Sequence, residues 1–304
     1  MIGRTNAVIA KSGSKWPLAD DVQVTYSGTM KDPREITDAA GNKYILYELT
    51  SSGTLTVDKQ VPVDICIVKG GQAGGSYNNS DYNYGGSGGT MINATVVLNG
   101  EMPCIVGEGG GVGLSYGQSL EMGGISSIEI DSYTYSSDDY GRRYGTGAGK
   151  GAGGSGFEPN NSRGDGKTKY VFGDESVYDY PICAGGGGGA SYQMSGAEYR
   201  SITRGGDGGT NGGNGEDHSS AMMNPETDTQ YWETIPYVEP SLGGYYGGGN
   251  GAGIEEGGSV ILPTNGFTYG SGGGGARNYY GVSSWGGGDE GLGYQGVIFI
   301  RIPK

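Results

Sequence analysis

Apolar residues along this chain fall into short runs of β type rather than helical stripes. The clearest is Val63-Asp64-Ile65-Cys66-Ile67-Val68, followed by Ala94-Thr95-Val96-Val97-Leu98, Cys104-Ile105-Val106, Ser127-Ile128-Glu129-Ile130 and Val260-Ile261-Leu262. The last run, Val297-Ile298-Phe299-Ile300-Arg301-Ile302, alternates and reads as a half-buried strand. No window sustains an apolar period of 3.6 residues, so almost no α-helix is expected.

Glycine fills much of the space between these runs. It supplies 68 of 304 residues, against a usual share of about 7%. Glycine loses more backbone freedom on folding than any other residue. Such a chain is either unfolded or built where backbones meet too closely for side chains. Strand-like runs persisting to residue 302 argue for order. A collagen helix needs Gly at every third position, whereas here the glycines come in blocks. The main blocks are Gly185, Gly186, Gly187, Gly188 and Gly189, echoed by Gly272, Gly273, Gly274 and Gly275. The remaining reading is a bundle of polyglycine-II helices, three residues per turn, bonding N–H to C=O between neighbours with Cα–H···O contacts added. The expected fold is all-β and β-sandwich-like, with strands alternating with such glycine tracts.

Only five glycines lie in the first 60 residues. Residues 1–50 read as an N-terminal β region, with Val22–Tyr26 and Tyr44–Leu49 as strands and Asp38–Lys43 as a turn. It reads as an attachment region for the rest of a tail or for sister subunits; the alternative is strands added to one common sheet. Residues 51–304 form the glycine-rich domain, with Tyr-rich surface loops at about 76–84, 131–146 and 219–246.

Several pieces recur in a particular order. A β run leads into Val68-Lys69-Gly70-Gly71-Gln72-Ala73-Gly74-Gly75, then Ile105-Val106-Gly107-Glu108-Gly109-Gly110-Gly111 and Gly123-Gly124-Ile125-Ser126. The two glycine tracts follow, and Gly296 opens the final strand. This order, over roughly residues 50–304, resembles the glycine-rich domain of bacteriophage tail-fibre and tail-tip proteins. It is also similar to the glycine-rich domain of receptors of the anaplastic lymphoma kinase type. Met1-Ile2-Gly3-Arg4-Thr5-Asn6 likewise resembles the openings of such phage proteins. The resemblance implies a β base carrying polyglycine helices, and adhesion or ligand binding rather than catalysis.

Tyrosine carries the candidate binding chemistry. There are 24 Tyr against 4 Phe, and Tyr gives large contact area at low entropic cost together with a hydroxyl. Tyr77, Tyr82 and Tyr84 form one group; Tyr133, Tyr135, Tyr140 and Tyr144 another. Tyr231 with Trp232, and Tyr279 with Tyr280 ahead of Trp285, complete the candidate receptor-binding set. Sugar rings stack on such aromatics while neighbouring Asp and Asn bond their hydroxyls. The competing reading is that these rings flank glycine helices and cap their contacts.

Enzymatic chemistry is sparse, and no catalytic residue or cofactor is assigned. His218 is the single histidine, so any Ser–His–Asp or Cys–His arrangement would have to pass through it. One His and three scattered Cys are a poor zinc set, and no metal site is assigned. Gly205–Asn214 is similar to calcium-binding nonapeptide repeats without their regular apolar position. Gly151–Gly156 and Asn161–Thr168 are chance matches to nucleotide-loop patterns, and Arg163-Gly164-Asp165 is a common tripeptide. Carboxylates number 33, too many for one glycosidase pair to stand out.

Net charge is −14, which repels phosphate backbones and anionic membranes and excludes nucleic acid as a partner. No segment approaches the ~18–20 apolar residues of a membrane span, nor does residues 1–15 read as a signal peptide. Cys66, Cys104 and Cys183 are an odd number and read as buried, reduced thiols. The expectation is a virion tail protein made in a bacterial cytoplasm. It would act as a host receptor-binding adhesin for surface glycan or protein, contacting other tail subunits and itself in a homo-oligomer such as a trimer. The alternatives are a self-assembling structural tail component and, behind it, a polysaccharide-cleaving tail enzyme.

Overall fold

The computed structural model describes residues 16–76, 83–86, 88–111, 123–138, 171–174, 177, 182–183, 191–195, 199–203, 222–224, 229–231, 239–240, 248–255, 260–275, 278–280 and 291–304. Its strands in chain order are β1 (Val24–Tyr26), β2 (Arg34–Thr37), β3 (Lys43–Leu49), β4 (Gly53–Val68), β5 (Gly75–Ser76) and β6 (Asn83–Tyr84). Then come β7 (Met91–Ile105), β8 (Ser127–Ile130), β9 (Tyr133–Ser136), β10 (Ser191–Ser195), β11 (Tyr199–Thr203) and β12 (Met222–Asn224). The rest are β13 (Thr229–Tyr231), β14 (Gly253–Ile254), β15 (Val260–Ile261), β16 (Asn278–Tyr280) and β17 (Val297–Pro303). Among the described residues helix is limited to 3-10 turns, at Ala19–Asp21, at Val171–Gly173 and at Val177. The fold is all-β, as its periodicity predicts.

Eight strands make the main antiparallel sheet, in the order β2-β3-β17-β4-β7-β8-β9, with β1 also on β4. Its spine is the long hairpin of β4 and β7, whose register shifts between Val57 and Val61. Asp58, Lys59 and Gln60 at that shift are exposed, while Leu55, Val57, Val61 and Val63 on either side are buried. Extra residues on one strand bend it and sharpen its twist. Leu55 and Met102 from one side of the bend share a core with Ile65, Ile67 and Ile92 from the other. The sheet therefore curls over on itself, and both ends of β7 return to the same region. Gly107, just past one end, accepts a bond from Gly296 N–H at 2.8 Å, and Lys69 N–H meets Thr90, just before the other end, at 2.9 Å.

The strands at residues 24–49 belong to this common sheet, β3 pairing with β17 from Tyr44↔Pro303 to Leu49↔Ile298. Both readings of the first fifty residues accommodate this place in the sheet.

β17 is buried on both faces rather than one. Ile298, Ile300 and Ile302 enter the inner core, whereas Val297 and Phe299 enter a second cluster with Cys66, Val68, Val171, Ile182, Cys183 and Tyr269. The covering residues come from 171–183 and 269, far away in sequence, so local alternation could not reveal them. Phe172 and Cys183 hold positive φ of 56° and 60° there. Arg301 is clasped on that side: its guanidinium carbon lies 4.4 Å from the Tyr44 ring centre and 4.5 Å from that of Phe172. Its Nε bonds Asp64 at 2.9 Å.

Candidate functional site

Glycine segments leave or enter the sheet at one end. Residues 69–74 follow β4, 85–90 lead into β7, 107–111 follow β7, 123–126 lead into β8 and 291–296 lead into β17. They are joined by hydrogen bonds with a constant step. Gly71 and Gly74 donate to the carbonyls of Tyr294 and Gly291, both at 2.9 Å. Gly86 and Gly89 donate to Gly273 and Gly270 at 2.7 and 2.6 Å, and Gly291 and Tyr294 to Gly274 and Ser271 at 2.9 and 2.7 Å. Gly293 and Gly296 donate to Gly110 and Gly107 at 3.1 and 2.8 Å. In each pair the donors advance by three residues and the acceptors retreat by three, so these segments run antiparallel. Gly249 and Ala252 donate to Gly272 and Gly275, both at 2.9 Å, and these two segments run parallel. A sheet ladder would repeat every two residues; this one repeats every three.

Contact is backbone to backbone. A Cβ placed on Gly71 would overlap the Ser271 carbonyl oxygen, one on Gly74 that of Gly274, and one on Gly273 that of Gly291. The Cα–H of each therefore aims at a neighbouring carbonyl, the geometry of weak Cα–H···O contacts. Gly272, Gly273, Gly274 and Gly275 are all buried in this bundle. Gly185, Gly186, Gly187, Gly188 and Gly189 lie outside the described residues. At the sheet end, buried Ser126 Oγ donates to Val68 O at 2.6 Å and accepts from Gly107 N–H at 2.9 Å, tying β4 to the bundle.

The register also sets where the insertions emerge. Segments 69–74 and 107–111 run away from the sheet, as do 270–275 and 248–252. Segments 85–90, 123–126 and 291–296 return to it. The stretches 75–85, 253–263 and 276–290 are thus flanked on both sides by residues at the far pole of the bundle. Tyr84 sits there on β6 opposite Gly75, and Tyr279 and Tyr280 on β16, in register with Tyr192 and Gln193 of β10. Tyr77, Tyr82 and Trp285 belong to the same insertions but lie outside the described residues.

Three candidates are elsewhere. Tyr133 and Tyr135 are on β9 at a sheet edge, rings edge-to-face with centres 4.8 Å apart. The turn beside them, Asp131-Ser132 with φ of 49° and 64°, points away from the bundle. Tyr135 packs partly into the core while Tyr133 is exposed. Tyr231 lies on β13 opposite Met222 in a separate two-stranded sheet. Tyr140, Tyr144 and Trp232 lie outside the described residues, as do His218, the Gly205–Asn214 run, the two nucleotide-loop look-alikes and Arg163-Gly164-Asp165.

Charged groups brace the bundle against the sheet. Glu48, 6% exposed at its side chain, pairs with Lys31 at 2.9 Å and with Arg34 at 3.5 Å. Burial works to lower the Lys31 pKa, but bonds to Tyr269 and Glu48 outweigh it and hold the ammonium well above its ordinary value. Tyr269, raised chiefly by burial, meets Tyr294 and Phe299 edge-on at 5.9 and 5.8 Å. Lys69 pairs with Asp138 at 3.0 Å. Sequence reasoning passed over Tyr269 and Tyr294, whose neighbours are all remote in the chain. Among the described residues no group of three His, Cys, Asp or Glu is placed to hold a metal, and no helix is long and apolar enough to cross a membrane.

Residues 50–303 match the family described as Glycine-rich domain, and the chain belongs to it. A search of curated proteins finds no match.

Proposed function

We propose that this protein is a receptor-binding adhesin of a bacteriophage tail, with the glycine segments as a stiff polyglycine-II scaffold. The observation that carries the reading is the convergence of Tyr- and Trp-bearing insertions on one pole of the bundle. Residues 75–85 and 276–290 are about two hundred residues apart, yet the three-residue register brings their ends together. Rigid presentation of Tyr-rich segments lowers the ordering cost of binding. Surface glycan of the bacterial host suits these rings and their Asn and Asp neighbours. The step of three residues, and the single positive φ at Gly270 among the described bundle glycines, agree with left-handed polyglycine helices.

The test is a pull-down of host cells by the intact protein, before and after surface glycans are stripped. A parallel arm carries Tyr279→Ala, Tyr280→Ala and Trp285→Ala together. Binding lost on stripping and in the triple variant supports a glycan adhesin. No binding in any arm overturns it in favour of a structural tail component, and oligosaccharide release from host polymer would favour an enzyme.

A further inference from the structure

At the bend of the β4–β7 hairpin, opposite the loop pole, lies an open surface groove of about 440 Å³ lined by Trp16, Pro17, Leu18, Asp21, Lys59 and Gln60. We propose that it is a binding site for a neutral saccharide, separate from the Tyr-rich insertions. Its volume falls in the range of about 300–1,000 Å³ usual for small-molecule sites.

Trp16 and Leu18 are 38% and 43% exposed, and both line the site. The frame beneath them is fixed. Ala19 and Val22 enter the inner core, and the Leu18 N–H bonds the Asp21 carboxylate at 3.3 Å. Lys59 Nζ donates to the Asp21 carbonyl at 2.5 Å, and Gln23 N–H to the Asp58 carboxylate at 2.7 Å. The 3-10 turn is thus fastened to the bend, with Trp16 two residues before its N-cap, Leu18.

The chemistry of the rim selects the ligand class. One carboxylate, one ammonium and one amide sum to zero charge and offer both donors and acceptors. That set matches a ring edged with hydroxyls, whose C–H face packs on an indole and on Pro17. An anionic sugar would meet Asp21 within a chain of net charge −14, and a cationic ligand would meet Lys59. Trp16 to Asp21 precede the matched family stretch, which starts at residue 50. Lys59 and Gln60 lie within that stretch, so the site is built where the preceding residues meet the glycine-rich domain.

The test is tryptophan emission of the intact protein titrated with oligomers of glucose, galactose and N-acetylglucosamine, with oligogalacturonate as the charged control. A saturable change is expected with at least one neutral oligomer, at least about tenfold tighter than with the control. Trp16→Ala should weaken it by about tenfold or more, as truncation of a central indole does, with the melting temperature unchanged. Gln60→Ala should weaken it less. Absence of a saturable change with every neutral oligomer overturns the proposal, as does binding that survives Trp16→Ala. A Trp16→Ala variant whose sedimentation shows lost self-association, without any sugar response, assigns the groove to a second copy of the chain and also overturns it. The triple variant at residues 279, 280 and 285 should leave this signal's sugar dependence intact, so this site and the loop pole can fail separately.

Discussion

Gly74 donates its amide to the carbonyl of Gly291 at 2.9 Å, and three residues back along one segment and three on along the other, Gly71 does the same to Tyr294. That relationship carries both the shape of the bundle and its intolerance of side chains. A Cβ on Gly74 would occupy the position of the Gly274 carbonyl oxygen. Each segment is bonded on one side and in Cα–H contact on another, so neither neighbour has room to retreat.

Replacing Gly273 by Val tests this directly. The Cβ would collide with the Gly291 carbonyl, which is backbone held by its own hydrogen bonds. Overpacking costs about 1–3 kcal/mol and occasionally more; with a branched side chain against backbone the upper end or complete loss of folding is expected. At about 2–4 °C per kcal/mol, a soluble variant should melt roughly 6–12 °C lower. Gly100→Asn is the matched control, since Gly100 has φ +68° with nothing within 4 Å of a Cβ and Asn tolerates that region. Equal melting temperatures for both variants would refute the close-packed bundle.

The cysteines predict an alkaline limit. Burial pushes the Cys66 and Cys104 thiols from 9.0 up to about 12. The folded protein therefore keeps two protons that the unfolded chain releases at lower pH. Their contribution to stability is whole below about pH 9 and is lost progressively between 9 and 12. Denaturant titrations at pH 8 and pH 10.5 should show the midpoint falling at the higher pH, and replacing both residues by Ala should reduce that fall, the remainder coming from Tyr26, Tyr44, Tyr47 and Tyr269, which burial also holds above their ordinary value. At pH 8 none of the three buried thiols should react with a thiol reagent until the protein unfolds.

Arg301 links the sheet to residues 171–183 through Tyr44, Phe172 and Asp64. Lys in its place keeps the charge but loses the planar stack and fixed fork. Arg301→Lys should cost about 1–2 kcal/mol, and chymotrypsin should then cut after Phe172 earlier than in the parent. Unchanged cleavage would mean that the apolar contacts of Val171, Val177 and Ile182 hold this segment unaided.

Much of this architecture is written locally. The runs at 63–68, 94–98, 127–130 and 297–302 are strands because their β-branched residues alternate over a few positions, and the glycine blocks mark where backbones meet. What could not be read depends on partners distant in sequence. The second buried face of β17 is made by Val171, Ile182 and Tyr269. Trp16 is a candidate only because the bend at 58–60 turns a flanking Trp-Pro-Leu into a groove wall. The Tyr clusters were visible as composition, but composition treats Tyr135 and Tyr279 alike. Register separates them, placing the first on a sheet edge with its ring partly in the core and the second in an insertion at the loop pole.

Those insertions should be removable without loss of the scaffold. Gly291 N–H bonds the Gly274 carbonyl at 2.9 Å, so the two ends of residues 276–290 already lie side by side. Replacing that stretch with a short Gly-Asn-Gly turn shortens a closed loop, which carries little entropic penalty, and removes Tyr279, Tyr280 and Trp285 together. β10 loses β16 as a neighbour but keeps its longer pairing with β11. The melting temperature of the main transition should therefore stay within about 2–4 °C of the parent, the equivalent of roughly 1 kcal/mol. Under the adhesin reading, attachment to host cells should drop by at least about tenfold, as expected when aromatic anchors are removed from an interface. Full attachment by a well-folded deletion variant would show that this part of the loop pole does not touch the receptor.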